Sequence, residues 1–128
     1  MGRFRHAQRP GWATPIGLLN ALAPRRGFTA QLGLNYGPGA RQALDAYLPA
    51  PPLPGRPMVV FFYGGGWESG ERGWYRFVAA TLASRGVLAL VPDYRLFPEV
   101  RFPAFLEDGA AAVGWARAHA AALGGDPS

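Results

Sequence analysis

The sequence predicts an α/β fold: an antiparallel hairpin, then a parallel strand, helix and strand, then one more helix. Three observations predict it. Met58-Val59-Val60-Phe61-Phe62 and Val87-Leu88-Ala89-Leu90-Val91 are continuously apolar runs, too short for buried helices and suited to strands covered on both faces. The segment between them has apolar residues at helical spacing. Upstream, Phe28 to Leu48 is organised about a Gly/Pro turn, as in a hairpin.

In chain order, residues 1–27 read as a basic arm carrying a short helix, and residues 28–128 as part of an α/β domain. In the arm, Trp12 to Ala23 has the outline of a secretory leader, ending in Ala21-Leu22-Ala23. Pro15, Gly17 and Asn20 interrupt its apolar run, however, and Pro24 follows the candidate cleavage point. A short amphipathic helix with Thr14 as N-cap and Pro15 at its first position is the better reading. From Phe28 the pattern alternates, with Phe28, Ala30, Leu32 and Leu34 expected on one face and Thr29, Gln31 and Asn35 on the other. After Gly37-Pro38-Gly39, Ala43 to Leu48 forms the returning strand, and Pro49 to Pro57 is a surface connector.

Beyond the first apolar strand, Trp74, Phe77, Val78, Thr81 and Leu82 predict the packed face of a helix closed by Gly86. Strand, helix and strand at this spacing make a right-handed crossover with parallel strands. A long helix is expected from about Pro103 to Leu123, burying a stripe of Leu106, Gly109, Val113, Ala116, Ala120 and Leu123. Gly124-Gly125 closes it, and Asp126-Pro127-Ser128 reads as the approach to another strand.

Composition excludes several classes. At 128 residues the chain is able to bury about 68% of its unfolded surface. It contains no cysteine, hence no disulfide or thiolate metal site, and its histidines lack ligand partners at chelating spacing; no metal or cofactor is expected. The formal net charge of +5 comes from Arg3, Arg5, Arg9, Arg25 and Arg26, all ahead of the first acidic residue, Asp45. A solvated basic arm explains it better than a nucleic-acid partner. No apolar run reaches membrane-spanning length, and a cytoplasmic location is the expectation.

The chemistry centres on Tyr63-Gly64-Gly65-Gly66-Trp67, where a strand ends in glycines. Such a turn brings backbone N–H groups close to a ligand's developing negative charge. A nucleotide-binding loop is a weaker reading, because the third glycine of that motif and any lysine are absent. Taken with Asp93-Tyr94-Arg95-Leu96, Pro98-Glu99, Phe102-Pro103, Asp108, Trp115 and Gly124-Gly125-Asp126-Pro127, the motif resembles the α/β-hydrolase fold. It is similar to the carboxylesterases related to hormone-sensitive lipase, including feruloyl-esterase-like and kynurenine-formamidase-like members, over almost the whole chain from Phe28.

The resemblance implies a serine hydrolase of small-molecule carboxylic esters or amides, with Gly65 and Gly66 as oxyanion-hole donors and Trp67 shaping an acyl pocket. Tyr63, where the family often has histidine, Gly64, Asp93, Tyr94 and Arg95 would support that loop, with Asp108 joining from the helix. Glu99 is expected to be exposed, and Trp115 to belong to the core. No Gly-x-Ser-x-Gly elbow occurs. Ser69 lies at the wrong spacing, and His6 and His119 do not follow an elbow. The expectation is therefore the N-terminal half of a hydrolase, truncated and inactive alone, with an open strand edge prone to self-association. The alternative is a non-catalytic subunit completed by a second chain.

Overall fold

The computed structural model describes residues 14–66 and 68–128. Its elements are α1 (Pro15–Leu22), β1 (Phe28–Asn35), β2 (Ala43–Pro49), β3 (Met58–Val60), α2 (Arg76–Ser84), β4 (Leu88–Pro92) and α3 (Ala104–Leu123), with one 3-10 turn at Arg72–Tyr75 leading into α2. The strands form one sheet in the order β1-β2-β4-β3. β1 and β2 are the antiparallel hairpin, β2 runs antiparallel to β4, and β3 and β4 are parallel. All five residues of β4 are buried, as its central place requires.

Helices cover both faces. On one side Ala79 and Ala83 of α2 pack with Tyr47, Ala89, Val91, Tyr63 and Tyr94. On the other, Ala116 of α3 packs with Leu44, Ala46 and Leu90, with Trp115 and Leu123 at the border. β4 thus sends alternate side chains into two cores, the period-2 geometry of a strand buried on both faces. α1 lies outside α2. Thr14 caps it, accepting the Gly17 N–H at 2.9 Å with Pro15 at the first position. Asn20 then caps α2 from outside, its Oδ1 accepting the Phe77 N–H at 2.8 Å.

Three expected faces are corrected. In β1 the register shifts between Gln31 and Leu34, so the strand bulges. Phe28 consequently joins the α2-side core and Leu34 the α3-side core, while Leu32 is 65% exposed. One extra residue in a strand reverses every later side chain, and alternation alone does not reveal it. In α2 the buried residues are Ala79, Ala80 and Ala83, whereas Thr81, and Trp74 of the preceding 3-10 turn, are exposed. In α3 the buried line is Phe105, Asp108, Ala112, Ala116 and Ala120, leaving Leu106 and Val113 exposed. Small residues let both helices approach the sheet closely, and α3 turns the buried Asp108, paired with the partly exposed Arg95, toward the sheet with them.

β3 sits at the sheet edge. The residues flanking it, Pro57 and Phe61, bond toward β4, through Leu88 N to Pro57 O at 2.8 Å and Phe61 N to Leu90 O at 2.8 Å. The opposite edge carries a single parallel bridge, Arg56 with Gly125, formed as the chain leaves α3. By alternation Met58 and Val60 present their amides and carbonyls on that same edge. No described helix is long and apolar enough to cross a membrane.

Candidate active site

The glycine loop leaves the carboxyl end of β3, where ligands of open α/β sheets bind. Gly65 has φ +134° and Gly66 φ +65°, both in the left-handed half of backbone space. A Cβ on Gly65 would lie 2.2 Å from the Ser69 carbonyl oxygen, so only glycine fits. That position is closed by the Glu68 N–H, which donates to Gly65 O at 3.1 Å, and by Ser69 Oγ at 3.4 Å. Gly64, Gly65 and Gly66 are exposed, and the Gly65 and Gly66 N–H groups donate to no described residue. Trp67, the expected pocket wall, lies outside the described residues, as do Arg3, Arg5, Arg9 and His6 of the arm.

Beneath the loop lies a dense polar scaffold. Tyr63 is buried and stacks between Tyr75, at 5.2 Å and 3°, and Tyr94, at 5.0 Å and 28°. Its hydroxyl donates to Asp93 Oδ1 and accepts from Arg41 Nη2 at 2.9 Å. The same Arg41 Nη2 donates to Gly70 O at 2.7 Å, and its Nε donates to Tyr94 O at 2.8 Å. One guanidinium therefore clasps both ends of the glycine loop to the strand beside it. The Tyr94 hydroxyl donates to Tyr63 O at 2.9 Å. At the far end of the loop, a Cβ on Gly70 would lie 2.6 Å from the Tyr63 ring.

Asp93 also takes the Arg72 backbone N–H at 2.7 Å and the Arg72 Nη1. Arg72 Nε reaches Asp45 Oδ1 at 2.7 Å, and Asp45 in turn accepts the Gly33 N–H of the β1 bulge at 2.9 Å. Burial works against the Arg72 charge, but the bonds to Asp45 and Asp93 outweigh it and raise its pKa. Burial, reinforced by the bond to Asp93, raises the Tyr63 hydroxyl well above the ordinary tyrosine range. Tyr36, which donates to Asp93 O at 2.6 Å, is raised by burial and by the nearby Asp108 and Asp93 charges.

Arg95 belongs to a separate pair rather than to the Asp93 cluster. Its Nη2 meets Asp108 Oδ1 at 2.7 Å and its backbone N–H meets Oδ2 at 2.8 Å, while Gln42 Nε2 donates to Oδ1 at 3.0 Å. Burial would raise the Asp108 pKa, but the Arg95 and Gln42 bonds outweigh it and hold the carboxyl below its usual value. Glu99 is exposed, Trp115 borders the α3-side core, and His119 is exposed and stacks on Trp115 at 4.0 Å.

Arg41, Gln42, Arg72 and Asp45 were not legible as site residues. Asp45 had one available signal, a carboxylate inside an otherwise apolar strand, which requires a buried partner. Arg41 had none, because the groups it clasps are tens of residues away in sequence.

Residues 59–128, which include the glycine loop, β4 and α3, match the α/β-hydrolase fold family. The chain belongs to that family. This α/β-hydrolase chain is 36% identical over 92 residues to a probable isoprenylcysteine α-carbonyl methylesterase of Oryza sativa subsp. japonica, covering 72% of the chain and 22% of the relative. It is 46% identical over 74 residues to carboxylesterase NlhH of Mycobacterium tuberculosis, covering 56% of the chain and 23% of that protein. Among solved structures, esterase B from Lactobacillus rhamnosis superposes with a TM-score of 0.78 at 26% identity, over 87% of this chain and 36% of that one. The chain thus spans about a fifth to a third of the proteins it resembles.

Proposed function

We propose that this chain supplies the oxyanion-binding part of a serine-type hydrolase acting on small carboxylic esters. Gly65 and Gly66 point their N–H groups at the carbonyl oxygen as it becomes tetrahedral. The observation that carries the reading is the pair of exposed glycines at the carboxyl end of β3 whose amides donate to no described residue, held by a buried scaffold. Donors fixed before the substrate arrives need no reorganisation as charge develops, and one of them is worth about 2.7–4 kcal/mol of barrier. The relatives bear esterase names, which supports an ester over other electrophiles. Tyr63, Asp93, Tyr94, Arg41 and Arg72 act by positioning the loop, and Trp67 is assigned to the acyl pocket.

The nucleophile, acid and base required by this reaction have no match among the 128 residues. The polypeptide of these residues alone is therefore expected to release no p-nitrophenol from p-nitrophenyl butyrate above a Gly65→Ala control. For the oxyanion assignment, residues 59–128 are placed in carboxylesterase NlhH in exchange for the matching segment. Gly65→Ala in that chimaera is expected to lower kcat by about 100- to 1000-fold with KM nearly unchanged. A rise in KM at constant kcat would show that the loop binds substrate without serving the transition state.

A further inference from the structure

The described arginines differ in their partners from one end of the sheet to the other. At the glycine-loop end, Arg41, Arg72 and Arg95 each lie within ion-pair distance of an aspartate. At the opposite end, where β3 and β4 begin, Arg25, Arg26, Arg56 and Arg85 form no ion pair with any described carboxylate. Of the eight acidic residues, only Asp126 lies at that end. Its backbone N–H bonds to Arg56 O at 2.9 Å, while its carboxylate accepts from Ser128. Arg56 stands apart even within this group, because it is partly buried in the wall of a cavity.

That cavity has a volume of about 460 Å³ and lies between the Pro-rich connector and the carboxyl end of α3. Leu48, Pro49, Leu53 and Leu123 give it apolar walls; Arg56 is its one charged residue, and no acidic residue lines it. The guanidinium is anchored by Nη2 to Pro51 O at 2.7 Å and more loosely by Nη1 to Gly86 O at 3.4 Å. Its Nε is buried and has no acceptor, the one such side-chain atom among the described residues. Native folds rarely leave a charged donor in that state, and each such group calls for an explanation.

We propose that this pocket binds an anionic amphiphile, a carboxylate carried on a short apolar chain. The volume is in the range of small-molecule sites, about 300–1,000 Å³. A carboxylate presents two oxygens at the spacing of an arginine Nε–H and Nη–H edge. Binding there turns the guanidinium so that its Nε–H edge, buried in the free chain, faces the cavity; the bond to the neutral Pro51 carbonyl is exchanged for a two-pronged, charge-assisted one, and Nε gains its acceptor. The apolar chain then lies along Leu48, Leu53 and Leu123, shielded from water. Because the pocket lies at the other end of the sheet from Gly65 and Gly66, its occupancy does not depend on the ester-hydrolysis reading.

Titration calorimetry on the 128-residue chain tests this with sodium octanoate, 1-octanol, acetate, inorganic phosphate, and vesicles of phosphatidylglycerol or phosphatidylcholine. Octanoate is expected to bind at least about tenfold more tightly than octanol, acetate or phosphate. Arg56→Gln is expected to remove that preference for octanoate over octanol. Leu53→Asp, at an exposed position in the pocket wall, is expected to weaken octanoate by a similar factor while leaving the Arg56 bonds in place. Equal affinity for octanol and octanoate, or no response to either substitution, overturns the proposal. Phosphate binding as tightly as octanoate overturns it in favour of a plain anion site. Binding to anionic vesicles without binding of free octanoate overturns it in favour of a surface patch.

Discussion

Tyr63 shows how much a single residue carries here. Its ring lies between two others, and its hydroxyl donates to Asp93 while accepting from Arg41. Tyr63→Phe keeps the stack and removes both bonds. Denaturant unfolding should show a loss of about 1–3 kcal/mol, the usual cost of leaving buried partners short of a bond. The hydroxyl pKa is raised by burial and by Asp93, so the folded state resists its ionisation. The associated stability is whole below the unfolded value of about 10 and is lost as pH rises through it toward the raised folded value. The alkaline limb of a stability profile should therefore be shallower in Tyr63→Phe. Sequence reading placed Tyr63 beside the loop; which partners hold it depends on Arg41 and Asp93, far away along the chain.

Among the elements, α3 separates local pattern from tertiary choice most clearly. Its length and its glycine stop follow from composition and from Gly124, which adopts φ +85°. Its orientation does not follow from apolar spacing, because Leu106 and Val113 are exposed while Asp108 is buried. Leu106→Ser should change unfolding stability by less than about 0.5 kcal/mol. Ala116→Leu, facing Leu44 and Leu90, should cost about 1–3 kcal/mol through overpacking. The reverse order of effects would mean that the helix packs through the apolar stripe after all. β1 teaches the same lesson: its alternation is real in the sequence, but the bulge between Gln31 and Leu34 sends its two ends into different cores.

For the molecule as a whole, charge and edges set the predictions. Asp108 is held below its ordinary pKa because its bonds to Arg95 and Gln42 outweigh its burial. A carboxyl lowered on folding contributes stability that is whole above the unfolded value of about 3.9 and is lost as pH falls through the lowered folded value. Acid unfolding should therefore steepen below about pH 4, and Asp108→Asn should flatten that limb as followed by circular dichroism. The free edge of β3, with Phe62 40% and Val59 39% exposed beside it, is a template for strand addition. Sedimentation velocity should show concentration-dependent association of the 128-residue chain, reduced by Phe62→Lys; a monomer at all concentrations would count against it.

The sequence by itself determined the element types, the parallel crossover, the glycine loop and the family, because each rests on short-range chemistry: runs of apolar residues, turn formers and the φ freedom of glycine. Only the tertiary structure decided which face of each helix is buried, how Asp93 and Asp108 divide their arginines, and where Arg56 is left without a carboxylate. Those outcomes depend on groups brought together across the sheet from distant parts of the chain, and no local pattern records which of several available partners a buried charge will meet.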